Sequence, residues 1–144
     1  MDKEFNMEIP YILAPIAGYI VAGSLKFALN TWRSRQLAFS HIGLGGMPST
    51  HNTITSSTFF TVVFVEGFYS SVSAVAFSVS IIVAIDSMDL RRKLETHALL
   101  ISAELSKVST KAKNMRLKLG HTPMEVIVAW VLGMGIGYTL SIII

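Results

Sequence analysis

The chain has 144 residues, of which 51% are hydrophobic and only 15% charged, against roughly 25% charged in an ordinary soluble domain. That balance, with a mean hydropathy of +0.55, argues against a soluble globular enzyme and against disorder, and the absence of cysteine excludes disulfides, thiolate metal sites and a cysteine nucleophile. The formal net charge is +3 and the pI is near 9.3, a balance that points to nucleic acid only if the placement of the charges gives no other reason for it.

A membrane span needs about 20 residues, at 1.5 Å each, to cross roughly 30 Å of hydrocarbon. The first apolar stretch, near 9–29, meets that length. It is read as retained rather than as a signal peptide, because Asp2, Glu4 and Glu8 outnumber Lys3 and no small-residue cleavage site precedes Lys26 and Arg33. Pro10 and Pro15 are expected in its first turns, where proline is best tolerated. Ala14, Gly18 and Ala22 recur every four residues, a spacing that lets helix backbones approach closely in lipid.

Next comes Gly45-Gly46-Met47-Pro48-Ser49-Thr50-His51-Asn52-Thr53. Two glycines allow successive N–H groups to point at an anion. Pro48 suits the first turn of a following helix, whose N-terminus favours phosphate, and Ser49 and Thr50 add hydroxyl donors. His51 stands within one turn, where it could protonate a leaving oxygen. An ordinary loop and helix cap would give the same composition. The second and third apolar stretches, near 51–66 and 70–88, reach spanning length only with their Ser/Thr-rich flanks.

Asp86-Ser87-Met88-Asp89-Leu90-Arg91-Arg92 follows the third stretch. Asp86 and Asp89 could bind Mg²⁺ or hold arginines for a phosphate. A long amphipathic helix is expected near 92–119. Its narrow seam of Leu94, Ala98, Ile101, Leu105, Val108, Ala112, Met115 and Leu119 fits packing on the same chain, on the membrane surface or on a second copy. Gly120-His121-Thr122-Pro123-Met124-Glu125 then opens the last apolar stretch, near 122–144, which carries Gly133 and Gly137. His121 and Glu125 are four apart and share a helix face. A carboxylate on one imidazole nitrogen fixes the tautomer and makes the other a better nucleophile or base. An acid favoured by the helix dipole is the plainer reading of Glu125.

Eleven of the chain's twelve basic residues, all but Lys3, lie at 26–35 or 91–118. In a four-span topology both segments fall on one side, and the positive-inside rule makes that side cytoplasmic. Orientation thus accounts for the pI, and nucleic acid is not needed. The polar clusters lie on the same side. Two histidines, several cations and a glycine-rich anion loop suit phosphoryl transfer without metal or other cofactor, because lysine and arginine neutralise the phosphoryl oxygens. His41 and His97 have no comparable setting.

These segments resemble the divergent branch of the type-2 phosphatidic acid phosphatases, related to acid phosphatases and vanadium-dependent haloperoxidases. The resemblance runs over roughly 26–140 and is carried by GGMPSTH at 45–51, IDSMDLRR at 85–92 and LGHTPMEV at 119–126. It implies an all-helical membrane protein that hydrolyses phosphate esters or pyrophosphates, with His121 as nucleophile, Glu125 as its orienting acid and His51 as general acid. Lys26 and Arg33 match the superfamily's first motif, with Ser34 for its proline and Arg35 as a rival arginine. Thr50 stands for a glycine in the second motif. In the third, Glu125 replaces aspartate, Met115 replaces serine and Arg116 stands one residue too close to His121. Arg91 and Arg92 match the divergent branch's own pair.

The expectation is therefore an all-α, single-domain protein of the plasma or inner membrane with about four spans and the amphipathic helix. Its partners are membrane lipids and a phosphate-containing substrate, with a homo-oligomer through the seam as an option. Lys26, Arg33, Arg35, Gly46, Ser49, Thr50, Arg91, Arg92 and Arg116 are the candidate phosphate contacts, and His51, His121 and Glu125 the candidate catalytic groups. Two alternatives stand beside it: a non-catalytic protein that binds lipid phosphates or assembles partners, and a magnesium-dependent lipid phosphotransferase using Asp86 and Asp89.

Overall fold

A computed structural model describes the backbone of residues 2–35, 46–105 and 119–143, with side chains throughout except at 2–10, 33 and 34. These segments are helical, with no strand among the described residues: α1 (Asp2–Ser34), α2 (Thr50–Glu66), α3 (Ser71–Met88), α4 (Leu90–Leu105) and α5 (Pro123–Ile143). Three helical stretches are long and apolar enough to cross a membrane: Tyr11–Trp32, Ser71–Leu105 and Pro123–Ile143. α2 is not among them; its 17 residues rise about 25 Å. α1 extends beyond the expected 9–29 at both ends, so Pro10 and Pro15 lie inside the helix rather than in its first turns.

The end of α2 and the starts of α3 and α5 have local causes. α2 ends at Gly67, whose φ of 92° lies where side chains are disfavoured. The Ser70 hydroxyl accepts the Ser73 N–H at 3.1 Å and caps α3. α5 opens with a reciprocal capping box. The Thr122 hydroxyl accepts the Glu125 N–H at 3.3 Å, and the Glu125 carboxylate accepts the Thr122 N–H at 3.1 Å. Pro123 fills the first helical position, where no N–H is needed.

α2 is the central helix. α1 runs antiparallel to it: the Ser57 hydroxyl donates to the Ala14 carbonyl at 2.9 Å, and Tyr11 reaches Glu66 at the far end. α3 is also antiparallel, with the Ser80 hydroxyl donating to the Thr55 carbonyl at 3.0 Å. α5 runs parallel to α2, with Ala129 against Ser56 and Gly137 against Phe60 and Thr61. Glycine is required along this contact. A Cβ at Gly133 would fall on the Ser56 hydroxyl and 2.7 Å from the Ser57 backbone nitrogen. Phe59, Phe77 and Trp130 join α2, α3 and α5, with ring centroids 5.2 to 6.3 Å apart.

The interior is small and polar and the outside is large and apolar. Asn52, Thr53, Ser56, Ser57, Thr61 and Ser80 are fully buried, whereas Ile12, Val75, Ile82 and Ile142 are each more than 60% exposed. In water this inverts the usual preference; against lipid it is the expected arrangement, because apolar chains meet apolar solvent. The buried hydroxyls stay satisfied by bonding back along their own helix, as Thr61 does to the Ser57 carbonyl at 2.8 Å. α4 follows α3 after the single turn residue Asp89. On it Leu94, Ile101 and Leu105 of the expected seam are exposed. Val108, Ala112 and Met115 lie outside the described residues. Leu119 is not helical, so the helix does not run to 119.

Candidate functional site

This helix order brings the C-terminal parts of α1 and α3 and the N-termini of α2 and α5 to one end. The chain turns into α2 through Gly46, whose φ of 127° only glycine adopts without strain. The Met47–Pro48 peptide is cis, and Ser49 is the N-cap. Pro48 therefore lies before the helix, not in its first turn. The Ser49 N–H donates to the Glu125 carbonyl at 3.4 Å, which ties the starts of the two parallel helices together. The Ser49 side chain is fully buried, and its hydroxyl accepts from Asn52 at 2.9 Å. The same Asn52 amide donates to the Ser87 hydroxyl at 2.9 Å, so it also ties α2 to α3, while its Oδ1 has no partner among the described residues.

His121 is 7% exposed. Its Nδ1 lies 2.9 Å from the Glu125 carboxylate. Glu125 therefore does two things: it closes the capping box of α5 and fixes the imidazole. With Nδ1 engaged, Nε2 is the nitrogen left for chemistry. Burial pushes the His121 pKa below the ordinary histidine value. The hydrogen bond and charge of Glu125 pull it up, and the nearby Lys26 and Arg91 cations push it down again. His51, in the first turn of α2, lies within electrostatic reach of Arg91, His121, Lys26 and Asp86.

Lys26, His51, Arg91, His121 and Glu125 thus share one neighbourhood. Lys26 is only 9% exposed. Arg91 donates to Asp86 at 2.7 Å. Asp89 accepts from Lys93 at 2.9 Å, so the two aspartates face different cations. Arg92 is exposed, with its stem against Gly120. Arg35 is exposed and ends α1 with a positive φ of 53°. Thr50 begins α2, half-buried. The Arg33 side chain, Gly45, His41 and Arg116 lie outside the description. His97 is exposed on α4. Among the described residues no group of three or more histidine, aspartate or glutamate side chains could hold a metal ion.

Two features of the site have no mark in the sequence pattern. Asn52 stands beside His51, but its bond to Ser87 joins residues 35 apart. Glu95 accepts the N–H groups of Leu119 and Gly120 at 3.2 and 2.9 Å, across a separation that no periodicity connects.

The sequence model of the Divergent PAP2 family matches residues 7–136. An uncharacterized membrane protein, YuiD, of Bacillus subtilis (strain 168) is 29% identical over 131 residues, covering 80% of this chain and 83% of the relative. No solved structure matches significantly.

Proposed function

The chain belongs to the divergent PAP2 family, and from that premise we propose that it is a membrane phosphatase, hydrolysing a lipid-linked phosphate monoester or pyrophosphate through a histidine nucleophile. The observation that carries this is the buried His121–Glu125 pair at 2.9 Å beside a second histidine and two cations. The inverted, apolar exterior and the membrane-protein relative support membrane integration. A four-span arrangement follows if α2 crosses with the other three long helices. The basic segments then put the site on the cytoplasmic face of the plasma or inner membrane, at head-group level, where lipid phosphates are met directly.

In the proposed reaction, Lys26 and Arg91 neutralise the phosphoryl oxygens, together with backbone N–H groups at the start of α2. The His121 Nε2 lone pair attacks phosphorus as the bond to the leaving oxygen breaks, and His51 passes its proton to that oxygen. Water then attacks the phosphohistidine and gives its proton to His51. The P–N bond breaks and its electron pair returns to Nε2. Glu125 holds the tautomer and offsets the positive charge that forms on the ring.

The test is phosphate release by protein in detergent from a diacylglycerol phosphate and an isoprenoid pyrophosphate, with and without a chelator. Release that survives the chelator and is lost in His121→Ala supports the proposal. Release abolished by the chelator and by Asp86→Asn, but kept in His121→Ala, would replace it with the magnesium-dependent reading. Absence of release from every lipid would leave a binding role.

A further inference from the structure

The four residues that carry His121 into place have no helix of their own, yet each of their N–H groups has an acceptor. Leu119 and Gly120 donate to the Glu95 carboxylate, at 3.2 and 2.9 Å. His121 donates to the Ser87 carbonyl at 3.0 Å, and Thr122 donates to Glu125 at 3.1 Å. The turn is therefore clamped from α4, α3 and α5 at once. Gly120 lets it lie flat on α4: a Cβ there would strike the Arg92 stem and stand 3.0 Å from the Arg92 Cα and nitrogen.

Of these acceptors Ser87 contributes only backbone, and Glu125 also touches the imidazole. Glu95 alone is a side chain outside the turn that holds its backbone without contacting His121. We propose that Glu95 is the positioning residue for His121: one carboxylate oxygen, taking both N–H groups, sets the height of the turn on α4 and so the aim of Nε2. This rests on the phosphatase reading for its effect on rate, but the clamp itself does not. The physical basis is geometric: a single oxygen at the right reach accepts two adjacent amides at 3.2 and 2.9 Å, ordinary N–H···O lengths that a neutral carbonyl oxygen can also make. Displacement of a reacting group by about 1 Å costs on the order of 10²-fold in rate.

The experiment compares wild type with Glu95→Ala, Glu95→Gln and Glu95→Asp in detergent. It reads kcat and KM for phosphate release from a diacylglycerol phosphate, and amide hydrogen exchange at Leu119 and Gly120. Glutamine keeps an oxygen at the same reach and loses only charge; aspartate keeps charge and loses reach. The expected result is a kcat about 10²-fold lower in Glu95→Ala with KM little changed, near-complete recovery in Glu95→Gln, and an intermediate loss in Glu95→Asp. Exchange at both amides should be faster in Glu95→Ala and protected in Glu95→Gln. Equal loss in the alanine and glutamine variants, or a change confined to KM, would overturn the proposal. If Glu95→Ala does not fold, the glutamine and aspartate variants carry the comparison. If wild type releases no phosphate, the phosphatase reading fails by itself. The exchange rates then still decide the clamp, and unchanged exchange in Glu95→Ala and Glu95→Asp would overturn it.

Discussion

Replacing Glu125 by glutamine removes a charge while leaving an oxygen where one is needed. In the native site one carboxylate oxygen meets His121 Nδ1 at 2.9 Å and the Thr122 N–H at 3.1 Å. The glutamine carbonyl can accept both. What disappears is the charge assistance, roughly the difference between about 1.5–3 kcal/mol for a bond to a charged group and about 1 kcal/mol for a neutral one. The Glu125 side chain is only 12% exposed, so solvent offsets little of that loss. About 1.4 kcal/mol of transition-state stabilisation corresponds to about tenfold in kcat. Glu125 also raises the His121 pKa, so without its charge the acid limb of the rate profile should move to lower pH. The assay is phosphate release from a diacylglycerol phosphate across pH 4 to 9. A Glu125→Gln enzyme with wild-type kcat, or an acid limb moved to higher pH, would refute the role given to this pair. Glu125→Ala should be slower still and less stable, by about 1 kcal/mol for the lost capping box.

Other expectations can be checked alongside. Gly133→Ala should lose about 1–3 kcal/mol of stability, because its Cβ would meet the Ser57 backbone at 2.7 Å, whereas Gly135→Ala, with nothing within 4 Å, should be close to neutral. Thermal unfolding in detergent separates them, and equal melting points would contradict the packing described. His121 has a folded pKa below its unfolded value, so the unfolded chain binds the extra proton. The resulting stabilisation is present above about pH 6.5 and lost as pH falls through the window below it. His121→Ala should flatten that part of the stability profile in chemical denaturation. The chain has no cysteine, so Tyr69→Cys and Lys93→Cys introduce single labelling sites. An impermeant thiol reagent should reach them from opposite sides of the membrane, Lys93→Cys from the cytoplasm; labelling of both from one side would refute the four-span arrangement.

The parts of this molecule written in local spacing could be read from the chain. The small residues Ala14 and Gly18 of α1 and Gly133 and Gly137 of α5 meet α2, and Ala22 of the same spacing is fully buried. The His121–Glu125 pair follows from residues four apart at a helix start. The bounds of α1 are not legible from the apolar stretch near 9–29, because the helix Asp2–Ser34 continues into polar residues at both ends. The sequence suits Pro48 to a first turn, but Ser49 takes the cap and the helix starts at Thr50. The four-and-three spacing of apolar residues through Leu119 cannot report that the Leu119 and Gly120 amides donate to Glu95. Glu95 and Asn52 act through tertiary hydrogen bonds, which leave no periodic trace.

The central claim is that His121 Nε2 carries the phosphoryl group between two half-reactions. Turnover of a diacylglycerol phosphate labelled at phosphorus, quenched in alkaline detergent, tests it without inference from rates. The expected result is an acid-labile, base-stable phosphoryl adduct that maps to His121 and is absent from His121→Ala. An adduct on another residue, or release by His121→Ala at the wild-type rate, would contradict it.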